Sequence, residues 1–124
     1  MQFAALLATA ATLAVSANAA ALRRSGARLA QFRIFGAEGC HDLNYGFYTV
    51  DESDAGNCHE LSNSPTAVTS VNVEYLNLPL ADGCTVQIYT DNACSEGQRD
   101  TKLNVCNNPA ATGETFGSWG IVCN

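Results

Sequence analysis

The side chains best suited to acid–base chemistry in this sequence are two histidines and a short acidic run. His41 and His59 each follow a cysteine directly, and Asp51, Glu52 and Asp54 stand close together. A hydrolase needs a nucleophile and a base, or two carboxylates, held in one cleft. Neighbouring side chains in an extended segment alternate in direction, so an acidic run is more typical of a solvated loop. We therefore expect no catalytic residue here, and a small hydrolase is the least favoured function.

Just before the acidic run lies a stretch rich in aromatic residues. On a strand, Tyr45 and Phe47 would point to one side and Tyr48 to the other. A small domain cannot easily bury both sides, so one ring would stay exposed and able to stack on a sugar or on a partner side chain. The alternative, in which all three rings fill the core, stays open. The candidate binding surface comprises Tyr45, Phe47, Tyr48, Asp51, Glu52 and Asp54.

The six cysteines all follow the apolar leader at the amino terminus, at Cys40, Cys58, Cys84, Cys94, Cys106 and Cys123. An even number of cysteines in a small exported domain indicates three disulfides. Zinc binding is the alternative, but disulfide formation would consume the thiolate ligands and no Cys-x-x-Cys spacing occurs. We therefore expect no metal site and no cofactor.

An internal repeat narrows the fifteen pairings that six cysteines allow. Arg33-Ile34-Phe35 and Cys40 are matched 54 positions later by Gln87-Ile88-Tyr89 and Cys94. Cys58, Ser70, Val71 and Val73 are matched 48 positions later by Cys106, Ser118, Trp119 and Ile121. One bridge within each repeat, Cys40–Cys58 and Cys94–Cys106, would leave Cys84–Cys123. That third bridge is also favoured because each cysteine lies on the apolar face of its own predicted strand, Cys84 with Val86 and Ile88, and Cys123 with Trp119 and Ile121, so both would point inward.

The amino terminus predicts export. Residues 3–15 carry no charge, and Ala17-Asn18-Ala19 has the small-x-small spacing that signal peptidase reads, so we expect cleavage after Ala19. Arg23 and Arg24 then form a dibasic pair suited to a processing protease, although an ordinary solvated pair is the alternative. The predicted organisation is a signal peptide at 1–19, a propeptide or flexible linker at 20–30, and one β domain at 31–124.

The charge of the chain limits its partners. The full sequence has a net charge of −6, and a mature chain from Ser25 would keep four basic against twelve acidic residues, which gives 4 − 12 = −8. This acidity disfavours nucleic acid, and no apolar run after the leader is long enough for stable membrane insertion. The expected partner is an unidentified extracellular protein or glycan.

Short runs of alternating apolar and polar residues predict an all-β fold. The clearest strand is residues 71–75, and similar runs occupy 29–35, 45–50, 84–90, 101–106 and 116–123. Turn-forming residues separate them, which favours an antiparallel sandwich or a small barrel. Trp119 alternates with Ile121 and is expected in the core.

Two resemblances add to this interpretation. The leader, the dibasic pair, the acidic charge and six paired cysteines together resemble the small secreted cysteine-rich proteins of filamentous fungi, many of which are called effectors. The two halves resemble βγ-crystallin-type Greek keys, found in some microbial killer-toxin-like and antifungal proteins, through the hairpin at 86–97 and the late Ser-apolar strand at 69–73. The calcium sites of that family do not carry over, because 65–66 and 113–114 lack its paired Asp/Asn residues.

The resemblances imply a fold and a function. The fold is a small antiparallel β-sandwich of two pseudo-repeated Greek-key-like halves with three disulfides. The function is that of a secreted, non-enzymatic effector or toxin-like protein, which recognises a host or competitor target by its surface. An antimicrobial or killer-type protein is the alternative, and the acidic charge argues against it because membrane-active antimicrobials are usually cationic.

Overall fold

A computed structural model describes residues 26–61 and 67–124, and the strands in this part of the chain form two antiparallel sheets. The strands are β1 (Arg28–Phe35), β2 (Asn44–Asp51), β3 (His59–Glu60), β4 (Ser70–Leu76), β5 (Cys84–Tyr89), β6 (Arg99–Asp100), β7 (Cys106–Asn107) and β8 (Ser118–Cys123). A 3-10 turn, Glu52–Asp54, follows β2. The prediction of an all-β sandwich with three disulfides is confirmed. The predicted processing positions Ala19, Arg23 and Arg24 lie outside the described residues.

The two sheets exchange one strand each. The first sheet has the order β2-β1-β4-β7 and the second has the order β3-β8-β5-β6. Each sheet therefore takes three strands from one half of the chain and a two-residue edge strand from the other half. The Greek-key relationship between the halves stays a prediction.

Alternation along the longer strands builds the core. In β1, Phe32 and Ile34 are buried while the intervening Arg33 is partly exposed. Inward side chains of the second sheet complete the core, and Trp119 is only 3% exposed, which confirms its predicted place. The Trp119 ring makes an edge contact with the Phe32 ring at 5.1 Å between centroids. Residues facing inward from both sheets thus form one core.

Two strand predictions need correction. Residues 101–106 were predicted to form a strand, but β6 ends at Asp100 and β7 begins at Cys106, with only an isolated bridge between Leu103 and Val73. Strand β3 was not predicted at all. Both errors have one cause, since a two-residue strand is too short to show period-2 alternation. In addition, β1 begins at Arg28, so it includes three residues placed in the predicted linker.

Two of the three disulfides connect the two halves of the chain, and the third lies within the second half. The observed pairs are Cys40–Cys106, Cys58–Cys94 and Cys84–Cys123. The third pair was predicted correctly, and its cysteines lie opposite each other in the register of β5 and β8. They lie on the inner face at the end of the strands, where Cys84 packs against the core while Cys123 is still exposed.

The predicted pairs Cys40–Cys58 and Cys94–Cys106 are wrong, and strand exchange is the reason. Strand β7 belongs by sequence to the second half but pairs with β4 of the first sheet. Cys106 therefore lies beside the turn of the first half that carries Cys40. Cys58 precedes β3, which pairs with β8 in the second sheet, and this brings Cys58 to the turn that carries Cys94.

Candidate recognition surface

The outer face of the first sheet carries a charged and aromatic patch. Arg33 of β1 lies in register between Phe47 of β2 and Asn72 of β4. It points outward because its neighbours Phe32 and Ile34 occupy the inner face. The same register places Gln31 between Thr49 and Tyr75, so that polar and aromatic side chains from three adjacent strands meet on this face.

An ion pair fixes the centre of the patch. The Arg33 guanidinium donates two hydrogen bonds to the Glu74 carboxylate, from Nε to Oε1 at 3.0 Å and from Nη2 to Oε2 at 3.2 Å. Gln31 Nε2 donates a further short hydrogen bond to Glu74 Oε2. Two parallel hydrogen bonds of this kind hold a guanidinium in one plane and one orientation. The Arg33 side chain is therefore held in one orientation on this face.

Hydrogen bonding keeps Glu74 ionised. The hydrogen bond from the Arg33 side chain lowers the pKa of the Glu74 carboxyl below its ordinary value, against a smaller opposing effect of burial. The hydrogen bond from Gln31 and the charge of Arg33 lower this pKa further. The pair thus persists at mildly acidic pH, where ordinary carboxylates begin to protonate.

Exposed aromatic side chains flank this ion pair. The Phe47 ring is 53% exposed, and the Arg33 guanidinium lies 5.3 Å from its centroid, which is a cation–π contact. Tyr75 is 44% exposed at a β-bulge opposite Gln31. We call this patch the recognition face; it comprises Gln31, Arg33, Phe47, Thr49, Glu74 and Tyr75.

The predicted aromatic stretch divides between surface and core. Of its three rings, only Phe47 is more than half exposed. The Tyr48 ring stacks on Phe32 at 5.2 Å with an interplanar angle of 4°, and partial burial raises the pKa of its hydroxyl. Tyr45 is half-buried and packs against the core, over Gly36, where no side chain would fit. The extended geometry of β2 thus directs Phe47 to the surface and Tyr48 inward.

The predicted acidic residues make local structural contacts. Asp54 Oδ2 accepts a hydrogen bond from the Asp51 amide at 2.8 Å, which closes the 3-10 turn after β2. Glu52 Oε1 accepts one from the Ala27 amide at 3.1 Å and ties this turn to the residues before β1. Arg28 lies 4.0 Å from Asp51. These carboxylates stabilise the turn that follows β2 and make that end of the strand acidic. They are not part of the recognition face.

The two histidines also have acidic neighbours. His59 Nε2 lies 3.2 Å from Asp54 Oδ1, and its ring stacks on Trp119 with 4.4 Å between centroids. His41 Nδ1 lies 3.2 Å from Asp42 Oδ1, and both side chains are about 70% exposed. Within residues 26–61 and 67–124, no group of three or more His, Cys, Asp or Glu side chains could hold a metal ion.

The outer face of the second sheet has a shallow cavity of 170 Å³ above Gly120. Its polar side chains bind one another, because Tyr89 Oη donates to Gln87 Oε1 and Gln87 Nε2 donates to Asp100 Oδ1, each at 3.0 Å. Tyr89 itself is buried. This face therefore presents less exposed aromatic surface than the recognition face.

Sequence reasoning missed Arg33, Gln31 and Glu74 as site residues. The alternation of buried and exposed residues in β1 and β4 places each of these side chains on the outer face, so their exposure could have been predicted from the sequence. Their meeting depends on the pairing of β1 with β4, which are separated by about forty residues. That register cannot be read from either strand alone.

Comparison with protein-family models, curated protein sequences and solved structures finds no match to this chain. In the described part of the chain, no helix is long and apolar enough to cross a membrane.

Proposed function

We propose that this protein is a secreted, non-enzymatic recognition protein of the effector or toxin-like kind, which binds an extracellular protein through its recognition face. The observation that carries the proposal is the exposed Phe47 ring beside Arg33, whose guanidinium is already fixed by Glu74. Aromatic and arginine side chains dominate binding energy at protein interfaces. Holding them in place before binding lowers the entropy cost of association.

The disulfides and the predicted leader support an extracellular site of action. All six cysteines are in disulfides, and such bonds persist in oxidising compartments. With the predicted leader at 1–19 and processing at Arg23–Arg24, this supports export. The exchange of β3 and β7 between the sheets supports kinship of the halves with βγ-crystallin-type Greek keys. A host or a competing microbe would then supply the target.

Site-specific photo-crosslinking tests this proposal. A photoreactive amino acid is placed at Thr49, on the recognition face, or at Val122, which is 47% exposed on the outer face of the second sheet. Both proteins are exposed to extracellular extracts of candidate target cells and irradiated. We expect a discrete protein adduct from position 49 that is lost in a Phe47→Ala background. Equal adducts from both positions, or a glycan adduct only, would contradict the proposal.

A further inference from the structure

One edge of the first sheet differs from the other three edges of the sandwich. Strand β2 pairs only with β1 and runs for eight residues. The edge strands β3, β6 and β7 have two residues each. Short edge strands prevent unwanted pairing, whereas a long edge offers a row of backbone donors and acceptors to another chain. Strand β2 is the long edge in the described part of the sandwich.

The side chains of β2 do not block this edge. The strand contains no lysine and no proline, which are the residues that commonly protect an edge. Asn44 Oδ1 accepts the Gly46 amide and Asp54 Oδ2 accepts the Asp51 amide, each at 2.8 Å. The two ends of the strand are thus closed by local hydrogen bonds. The stretch between them, 47–50, is where a further strand would pair.

The acidic residues at both ends of β2 indicate which kind of chain could pair with this strand. Asp42 precedes β2 with its side chain 70% exposed, and Asp51 and Glu52 lie at the other end of the strand. Two copies of β2 paired antiparallel would bring the Asp51 end of one copy to the Asp42 end of the other. Arg28 lies 4.0 Å from Asp51 and offsets that charge, but Glu52 at one end and Asp42 at the other would still bring like charges together, and the net charge of −6 adds to the repulsion. A second copy of this chain is therefore a poor occupant.

We propose that β2 is a strand-addition site for an extended segment of a basic protein, with Lys or Arg near both ends of the added strand. Main-chain hydrogen bonds to β2 supply affinity in this mode, and alternate side chains supply specificity. On one face the added side chains lie beside Phe47, and on the other they lie beside the partly buried Tyr48. This inference rests on the proposed function and adds that the partner is bound as an extended strand.

A blocked peptide of about ten residues, long enough to run from Asp42 to Glu52, serves as the probe. It has lysine at both ends and alternating threonine and valine between them. A second peptide has the same residues but an N-methylated backbone, so its charges and side chains remain while its amide donors are lost. Affinity is measured by titration, and amide hydrogen exchange of β2 is measured with and without peptide.

Strand addition predicts that N-methylation weakens binding at least about tenfold, because several main-chain hydrogen bonds are lost together. The unmodified peptide should slow exchange within 47–50. Thr49→Lys should weaken its binding, since a lysine on the edge repels the basic strand. Thr85→Lys makes the same replacement in β5, an inner strand of the second sheet, and should have little effect. Equal binding of both peptides, equal effects of both lysines, or no binding would overturn the proposal.

The outcomes also separate this inference from the proposed function. If crosslinking from position 49 depends on Phe47 but N-methylation does not weaken the peptide, recognition stands and strand addition fails. If the peptide protects 47–50 but Phe47→Ala leaves the partner adduct unchanged, strand addition stands and the assigned recognition face fails.

Discussion

Ser70 and Ser118 occupy equivalent positions in the two sheets and make the same pair of hydrogen bonds. Ser70 Oγ donates to the Ala37 carbonyl at 2.6 Å and accepts the Cys40 amide at 3.1 Å. Ser118 Oγ donates to the Asp91 carbonyl at 2.6 Å and accepts the Cys94 amide at 3.0 Å. Each fully buried serine therefore ties the turn between two strands to the start of a third.

This relationship predicts similar losses of stability on removing either hydroxyl. Ser70→Ala and Ser118→Ala should each lower the free energy of unfolding by about 1–3 kcal/mol, because a buried amide and carbonyl lose their partner. Ser53→Ala, at an exposed position, should change it by less than about 0.5 kcal/mol. Chemical denaturation of the three variants measures this. A large loss for one buried serine and none for the other would show that the two positions are not equivalent.

The disulfide pattern gives a second prediction. Peptide mapping without reductant should join Cys40 to Cys106 and Cys58 to Cys94. Replacing both Cys40 and Cys106 by alanine should lower the free energy of unfolding by about 4 kcal/mol, because this bridge closes a long loop. A peptide joining Cys40 to Cys58 would contradict the strand exchange.

The turn after β5 predicts an acid-sensitive contribution to stability. The Asp91 carboxylate accepts hydrogen bonds from the Ser95 hydroxyl and from the amides of Ala93, Ser95 and Glu96. These bonds, with the Ser95 hydroxyl first, lower the pKa of Asp91 from 3.8 to about 2. Because the folded-state pKa is the lower one, the contribution is complete above pH 4 and is lost as the pH falls towards 2.

Asp91→Asn should therefore weaken the pH dependence of unfolding between pH 4 and 2. Asp82→Asn is the matched control, because Asp82 is exposed and no described residue donates a hydrogen bond to its carboxylate. Thermal unfolding across this range measures both variants. An unchanged slope in Asp91→Asn, or a carboxyl titration near 4 by NMR, would refute the prediction.

Leu43 carries backbone strain at the end of the β1–β2 hairpin. It has φ of 55° and is 61% exposed. Gly97, 54 positions later, has φ of 66°, so the first half has leucine where the second has glycine. Leu43→Gly should raise the free energy of unfolding by about 0.5–1 kcal/mol, because the left-handed region disfavours a β-carbon.

A matched glycine substitution provides the control for this prediction. Leu103 is also exposed, at 40%, and it is not among the residues with positive φ. Leu103→Gly should lower the free energy of unfolding by about 0.5–1 kcal/mol, since glycine adds entropy to the unfolded chain. Equal destabilisation by both substitutions in chemical denaturation would argue against strain at Leu43.

Period-2 alternation in single strands explains how much of the fold could be predicted. Phe32 and Ile34 in β1, and Val71 and Val73 in β4, indicated long strands with one buried face, and these strands are present. Strand β3 has two residues and no periodic signal. The cysteine pairs near β3 and β7 were therefore assigned within the repeats, although these strands cross to the opposite sheet.

The candidate site was predicted in part for a related reason. One ring of the aromatic stretch was expected to stay exposed, without its position being specified, and that ring is Phe47. Arg33 and Glu74 were not expected to meet, because their contact depends on long-range register between β1 and β4. Local sequence gives the face of each strand, but only the tertiary fold determines which faces adjoin.

The affinity of the crosslinked partner for Phe47→Ala tests the central claim most directly. Truncating an interface aromatic should raise Kd at least about 30-fold, which corresponds to about 2 kcal/mol. Val122→Ala, an exposed apolar truncation on the other sheet, should change Kd less than about twofold. Unchanged affinity in Phe47→Ala, with the fold intact, would contradict recognition through this face.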